Sequence, residues 1–128
     1  MPLDITIKPR AGYEISGAIT VKLGGSLDTT SSPELEQQLA PVLAGKTKDI
    51  VFDLNDLLFI SSAGLRVFSL TRKQLVERGG HASFVNMQPQ IKEVFEIIRA
   101  LPGLRVFKDM DELDTYLAER QRRHEEKK

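Results

Sequence analysis

Polar and apolar residues alternate along DITIK, residues 4–8, the pattern of a strand with one buried face. ISGAITVKL, residues 15–23, is a second strand rich in β-branched residues, and a hairpin through Gly12 joins the two. Gly24 and Gly25 are predicted to end it. TTSSPELEQQLAPVL, residues 29–43, then opens a helix with Leu35, Leu39 and Val42 on one face. Pro33 sits near the first turn, where its missing N–H costs nothing. Ser31 with Glu34 forms a candidate capping box, and Ser32 is the other candidate N-cap. Pro41 is predicted to kink this helix or end it early.

DIVFDL, residues 49–54, is a nearly continuous apolar run bounded by polar residues, as in a buried central strand. A short acidic loop is expected after Leu54. Residues 63–78 read as a helix with Leu65, Phe68, Leu75 and Val76 toward the core and Gly79-Gly80 as its stop. HASFVN, residues 81–86, is the next strand. Pro89 opens a helix whose Ile91, Val94, Phe95 and Ile98 keep helical spacing, and Gly103 ends it. LRVF, residues 104–107, reads as a last short strand. DMDELDTYLAER, residues 109–120, reads as a last helix with Leu113, Tyr116 and Leu117 inward.

The predicted order is β-β-α-β-α-β-α-β-α. Strands alternating with helices imply parallel pairing and right-handed crossovers, hence an α/β domain with one antiparallel hairpin. The predicted core holds Ile50, Phe52, Leu54, Leu65, Phe68, Phe84, Val94, Phe95 and Ile98.

Composition narrows the picture. A chain of 128 residues suits one domain, 1–128, with a core over about residues 4–118 and a charged, fraying helix end at 119–128. There are no cysteines, which excludes disulfides, thiol catalysis and thiolate metal sites and fits a reducing compartment. Eighteen basic residues balance eighteen acidic ones, so the basic excess of a nucleic-acid binder is missing. The segment MPLDITIKPR lacks the apolar stretch of a signal peptide, and no apolar run approaches a membrane span. A cytoplasmic protein, monomeric or weakly dimeric, without cofactor or metal, is expected.

The stretch that carries chemistry is IVFDLNDLLFISSAGLR, residues 50–66. Ser61 and Ser62 stand at the entry to a helix. Serine is a favoured N-cap, so either residue has a purely structural reading. The same position suits a phosphate, because a helix N-terminus presents unpaired N–H groups and a partial positive charge. Arg66, one turn on, is placed to reach back toward it. Val67 and Leu70 lie off the face of Leu65 and Phe68. With Arg66 they form either an exposed apolar patch beside Ser62 or a surface covered by a neighbouring helix.

These residues resemble the phosphorylation motif of the STAS family, in particular its stand-alone anti-sigma-factor antagonists. That motif is an apolar pair followed by D-S-[ST]-G-[LIV], matched here by Phe59, Ile60, Ser61, Ser62, Ala63, Gly64 and Leu65. GSLDTTSSPEL, residues 25–35, resembles the family's G-x-L-D segment, and QPQIKEVFEI, residues 88–97, its P-x-[IV]-K-x-[LV]-F pattern. The resemblance covers roughly residues 12–107. It implies a mostly parallel sheet in sequential strand order with helices mainly on one face. It places the phosphoacceptor at Ser62, with Ser61, where many members have aspartate, as a second candidate. It implies partner binding in the region of Asp28, although Asp28 also has a local reading as a turn-building aspartate, and the candidate partner surface taken with it comprises Asp28, Ser61, Gly64, Arg66, Val67 and Leu70. The segment from Phe95 to Gly103 is longer than in the sporulation proteins by about one helical turn.

The mechanism implied by the resemblance is partner switching. The unphosphorylated antagonist binds a serine kinase that is also an anti-sigma factor, freeing the sigma factor. The kinase phosphorylates the antagonist with ATP, the complex separates, and a metal-dependent serine phosphatase resets it. A scaffold or switch for a target other than a sigma factor is an alternative, as is a weak nucleotide-binding module, though neither a P-loop nor GxGxxG is present. A serine hydrolase fits poorly. Position 60 is isoleucine where the nucleophile elbow needs glycine, and the only histidines, His81 and His124, lie at a strand start and in the tail. No enzymatic activity is expected.

Overall fold

The computed structural model describes residues 2–10, 12, 17–100 and 110–126. They form β1 (Leu3–Pro9), β2 (Ile19–Leu27), α1 (Ser32–Ala44), β3 (Asp49–Ile60), α2 (Ser62–Glu77), β4 (His81–Val85), α3 (Pro89–Ala100) and α4 (Met110–Glu126). The predicted strand at 104–107 and the Gly103 stop lie outside the described residues, as does the start predicted for the second strand.

The four strands lie in sequential order, with β1 antiparallel to β2 and β2, β3 and β4 parallel. Ile7, Val21, Phe52 and Phe84 stand in register across the sheet, and Thr6, Lys22, Asp53 and Val85 in the adjacent row. Successive residues of a strand face opposite sides. The row of Phe52 therefore meets the helices, and the row of Asp53 points away from them. The mixed sheet with helices packed on one face is the expected architecture.

Phe52 anchors this core. Its ring stacks on Phe84 at 5.2 Å and tilts against Phe68 at 5.0 Å, while Phe95 meets Phe84 edge-on at 5.3 Å. Ile50, Phe52, Leu54, Phe68 and Val94 are buried, and Leu65, Phe84, Phe95 and Ile98 pack half-buried against them.

Several local expectations are corrected. Gly24 and Gly25 do not end β2, which runs on to Leu27. Gly25 adopts φ +86°, and a Cβ there would lie 2.0 Å from the Pro2 carbonyl oxygen, so glycine allows the strand to continue beneath β1. β3 does not stop at Leu54 either. It takes up two extra residues against β2, one between Asp53 and Asp56 and one between Leu57 and Phe59. Each bulge resets the in-out alternation. The acidic segment is part of the strand and not a loop.

α1 has no capping box. Ser31 is its N-cap residue but makes no side-chain cap bond, and Pro41 is accommodated inside the last turn. In α2 the buried stripe is Gly64, Val67, Phe68, Thr71 and Leu75, leaving Val76 exposed. The helix is turned so that Gly64 faces down, and Val76 falls about 100° beyond Leu75. Tyr116 is likewise exposed, while Leu113 and Leu117 are buried. α4 continues through Glu126, with Gln121 buried.

Candidate functional site

The site forms where two parallel strands end. Leu27 of β2 and Ile60 of β3 are register partners, so Asp28 and Ser61 leave the sheet side by side. The Ser61 N–H donates to the Leu27 carbonyl at 2.9 Å, fixing the two exits together. Carboxyl ends of parallel strands are where open α/β sheets place their functional groups.

Gly64 sets how closely α2 approaches this edge. A Cβ at Gly64 would lie 2.7 Å from Leu27 Cγ and 2.9 Å from Ile60 Cγ1. Such separations are well inside van der Waals contact, so only glycine brings the first turn of α2 down on both strand ends. Gly64 is buried and packs against Leu27 and Ile60.

Neither serine caps α2 in the expected way. Ser61 is the N-cap residue in extended conformation, yet its side chain makes no cap bond, and its Oγ is buried without a hydrogen-bond partner. The capping anion comes from α4. Asp114 accepts the Ser62 N–H on Oδ1 at 2.7 Å and the Ser62 hydroxyl on Oδ2 at 2.8 Å. The first N–H of α2 is therefore already satisfied by a carboxylate, and Ser62 is only 7% exposed.

A second contact holds α4 there. Gln121 Oε1 accepts the Ile60 N–H at 2.9 Å, and Gln121 Nε2 donates to the Ile60 carbonyl at 2.8 Å. Leu113 and Leu117 are buried in the core on the same side of α4. Further along, Glu93 of α3 accepts from Arg120 Nε at 2.6 Å and pairs with His124. The hydrogen bond from His124 is the largest influence lowering the Glu93 pKa below its ordinary value. Burial opposes it, and the bond and charge of Arg120 add to the lowering.

Asp28 follows its local reading. Its Oδ1 accepts the N–H groups of Thr30 and Ser31, each at 3.0 Å, and the Ser31 hydroxyl at 3.1 Å. This turn leads into α1. Arg66 and Leu70 are exposed, and with Ser62, Leu65, Ile98 and Leu113 they line a groove of about 340 Å³. Val67 is 3% exposed and belongs to the core, so the expected patch of Val67 with Leu70 is corrected to Leu70 beside Arg66.

Asp114 and Gln121 were not identified from sequence. The available signal was a polar residue on or beside the apolar stripe of Leu113 and Leu117. An arrangement for serine hydrolysis is also lacking among the described residues. His81 starts β4, at the opposite edge of the sheet from Ser62, and His124 is engaged by Glu93. The group facing the Ser62 hydroxyl is a carboxylate.

The chain and its fold have counterparts among known proteins. The STAS domain family matches residues 11–113. BtrV of Bordetella bronchiseptica, named for the anti-sigma factor antagonists, is 37% identical over 84 residues, covering 66% of this chain and 72% of that protein. The anti-sigma-B factor antagonist of Staphylococcus aureus is 35% identical over 77 residues, covering 60% of this chain and 71% of its own. The fold is shared with unphosphorylated SpoIIAA of Bacillus, at a TM-score of 0.61 and 17% identity over 73% of this chain and 83% of that one. It is also shared with an anti-sigma factor antagonist from Mycobacterium paratuberculosis, at a TM-score of 0.56 and 20% identity over 91% and 94% of the two chains. The chain belongs to the STAS domain family.

Proposed function

We propose that this protein is an anti-sigma-factor antagonist that acts by partner switching, with Ser62 as its phosphoacceptor. The observation that carries the reading is the position of Ser62. It is the first residue of α2, at the carboxyl edge of the parallel strands, and it lines a groove together with Arg66 and Leu70. The relatives named as anti-sigma factor antagonists support it.

In this reading the unphosphorylated protein binds a serine-kinase anti-sigma factor across Ser62, Arg66 and Leu70, releasing the sigma factor. The kinase transfers phosphate from ATP to Ser62 and the complex separates. A metal-dependent serine phosphatase restores the binding form. The protein itself catalyses nothing and works in the cytoplasm; no helix among the described residues is long and apolar enough to cross a membrane.

Intact-protein mass spectrometry after purification from the native cell, with and without phosphatase treatment, tests the assignment. One removable phosphate that maps to Ser62 is expected. Phosphate confined to Ser61 reassigns the acceptor, and a protein that carries none in any growth state overturns the reading.

A further inference from the structure

We propose that α4 is a charge-sensed latch on the phosphoacceptor, with Asp114 as its positioning residue; the inference rests on the reading of Ser62 given above. The unphosphorylated state holds Ser62 with both donors on one carboxylate, its N–H at 2.7 Å and its hydroxyl at 2.8 Å. Ser62 is nearly inaccessible in that state. A kinase reaches the hydroxyl only after Asp114 has swung away.

Transfer forms the bond from Ser62 Oγ to the γ-phosphorus and breaks the bond from that phosphorus to its bridging oxygen in the nucleoside triphosphate. The diphosphate leaves, and the hydroxyl proton passes to a base of the kinase. The product carries about −1.5 to −2 charges and three acceptor oxygens where one hydroxyl stood. Its ester oxygen has no proton to offer Asp114, and its like charge repels the carboxylate. The new phosphate is itself an anion at the start of α2, so it takes over the Ser62 N–H that Asp114 held. An anion from another helix is thereby exchanged for one on the residue itself.

The rest of the α4 contact does not sense this charge. Gln121 grips the Ile60 backbone through a neutral amide, and Leu113 and Leu117 are held by burial. Release therefore begins at the Asp114 end. Leu113 and Ser62 line the same groove as Arg66 and Leu70, so the opening redraws the face offered to a partner. Phosphorylation acts on binding through the position of a helix as well as through charge at the interface.

The test installs phosphoserine at position 62 through an expanded genetic code and reads amide hydrogen exchange. In the otherwise unchanged protein, exchange in the first turns of α4 should rise about tenfold or more, with β2 and β3 still protected. Asp114→Asn keeps the shape of the side chain, removes its charge and can donate to phosphate. In that background phosphoserine should change α4 exchange by less than about threefold. Asp114→Ala, with no carboxylate to repel, serves as a further background with the same expectation. An α4 that stays equally protected in the phosphorylated protein overturns the latch. So does an equal loss in the Asp114→Asn protein, where bulk would be responsible, or a loss of protection throughout the sheet. The installed phosphoserine needs no kinase, so failure of the latch and failure of Ser62 as the cell's phosphoacceptor are separate results.

Discussion

Gln121 of α4 closes two hydrogen bonds on the backbone of Ile60, the last residue of β3, as a neighbouring strand would have done. Ile60 and Gln121 are both buried, so water cannot replace either bond. Gln121→Ala leaves a buried N–H and a buried C=O without a partner, each at a cost of about 1–3 kcal/mol. A loss of at least about 2 kcal/mol in urea unfolding is expected. A loss of a few tenths would mean that α4 does not dock on β3 in solution.

The bond between Ser62 and Asp114 is measurable as a coupling. Ser62→Ala removes a hydroxyl donor to a charged acceptor, and Asp114→Ala removes the acceptor for two donors. Each change should destabilise by about 1–3 kcal/mol. Residues in direct contact are non-additive, and the double variant should reveal about 1–2 kcal/mol of interaction. Simple additivity in urea titrations of the four proteins would place the two side chains apart.

Glu93 ties α3 to α4 in a pH-dependent way. Its pKa is lowered in the folded protein below the ordinary 4.5. A lowered acid contributes stability that is present above the unfolded-chain value and disappears as pH falls through the folded value. Glu93→Gln should therefore cost about 1–2 kcal/mol at neutral pH, and the gap from the parent should narrow steadily below about pH 4.5. Urea melts of both proteins across that range decide it. A gap that is the same at every pH would show that the clasp does not depend on the carboxylate charge.

Gly64→Ala tests the floor of the site. The added methyl meets Leu27 and Ile60 at distances that force α2 to lift or the two side chains to rotate. Overpacking of this kind typically costs about 1–3 kcal/mol. The displaced first turn should also change the amide chemical shifts of Ser61 and Ser62. An alanine variant of parental stability with unmoved resonances would mean that the close approach is looser than the geometry indicates.

The sequence made the strand order and the helix faces legible wherever spacing was regular, as at Ile91 and Val94 or Leu35 and Leu39. It misled where local rules were overridden from a distance. A glycine pair reads as a stop, yet Gly25 is needed because β1 begins against it. The stretch after Leu54 reads as a loop, because bulges break the alternation on which strand recognition depends. Ser61 and Ser62 read as caps, because nothing nearby in the chain reveals that Asp114 supplies the anion. The position of the candidate serine was legible from its motif. Its environment was not, since the carboxylate that holds it belongs to the last helix.

That separation gives the protein a history during its own synthesis. Ser62 and Asp114 are 52 residues apart, and all four strands among the described residues precede α4 in the chain. At a translation rate of about 5–20 residues per second, roughly 3–10 s pass between the making of the serine and the making of its carboxylate. A newly made chain is thus born with its hydroxyl uncovered, and it becomes shielded only as the final helix arrives.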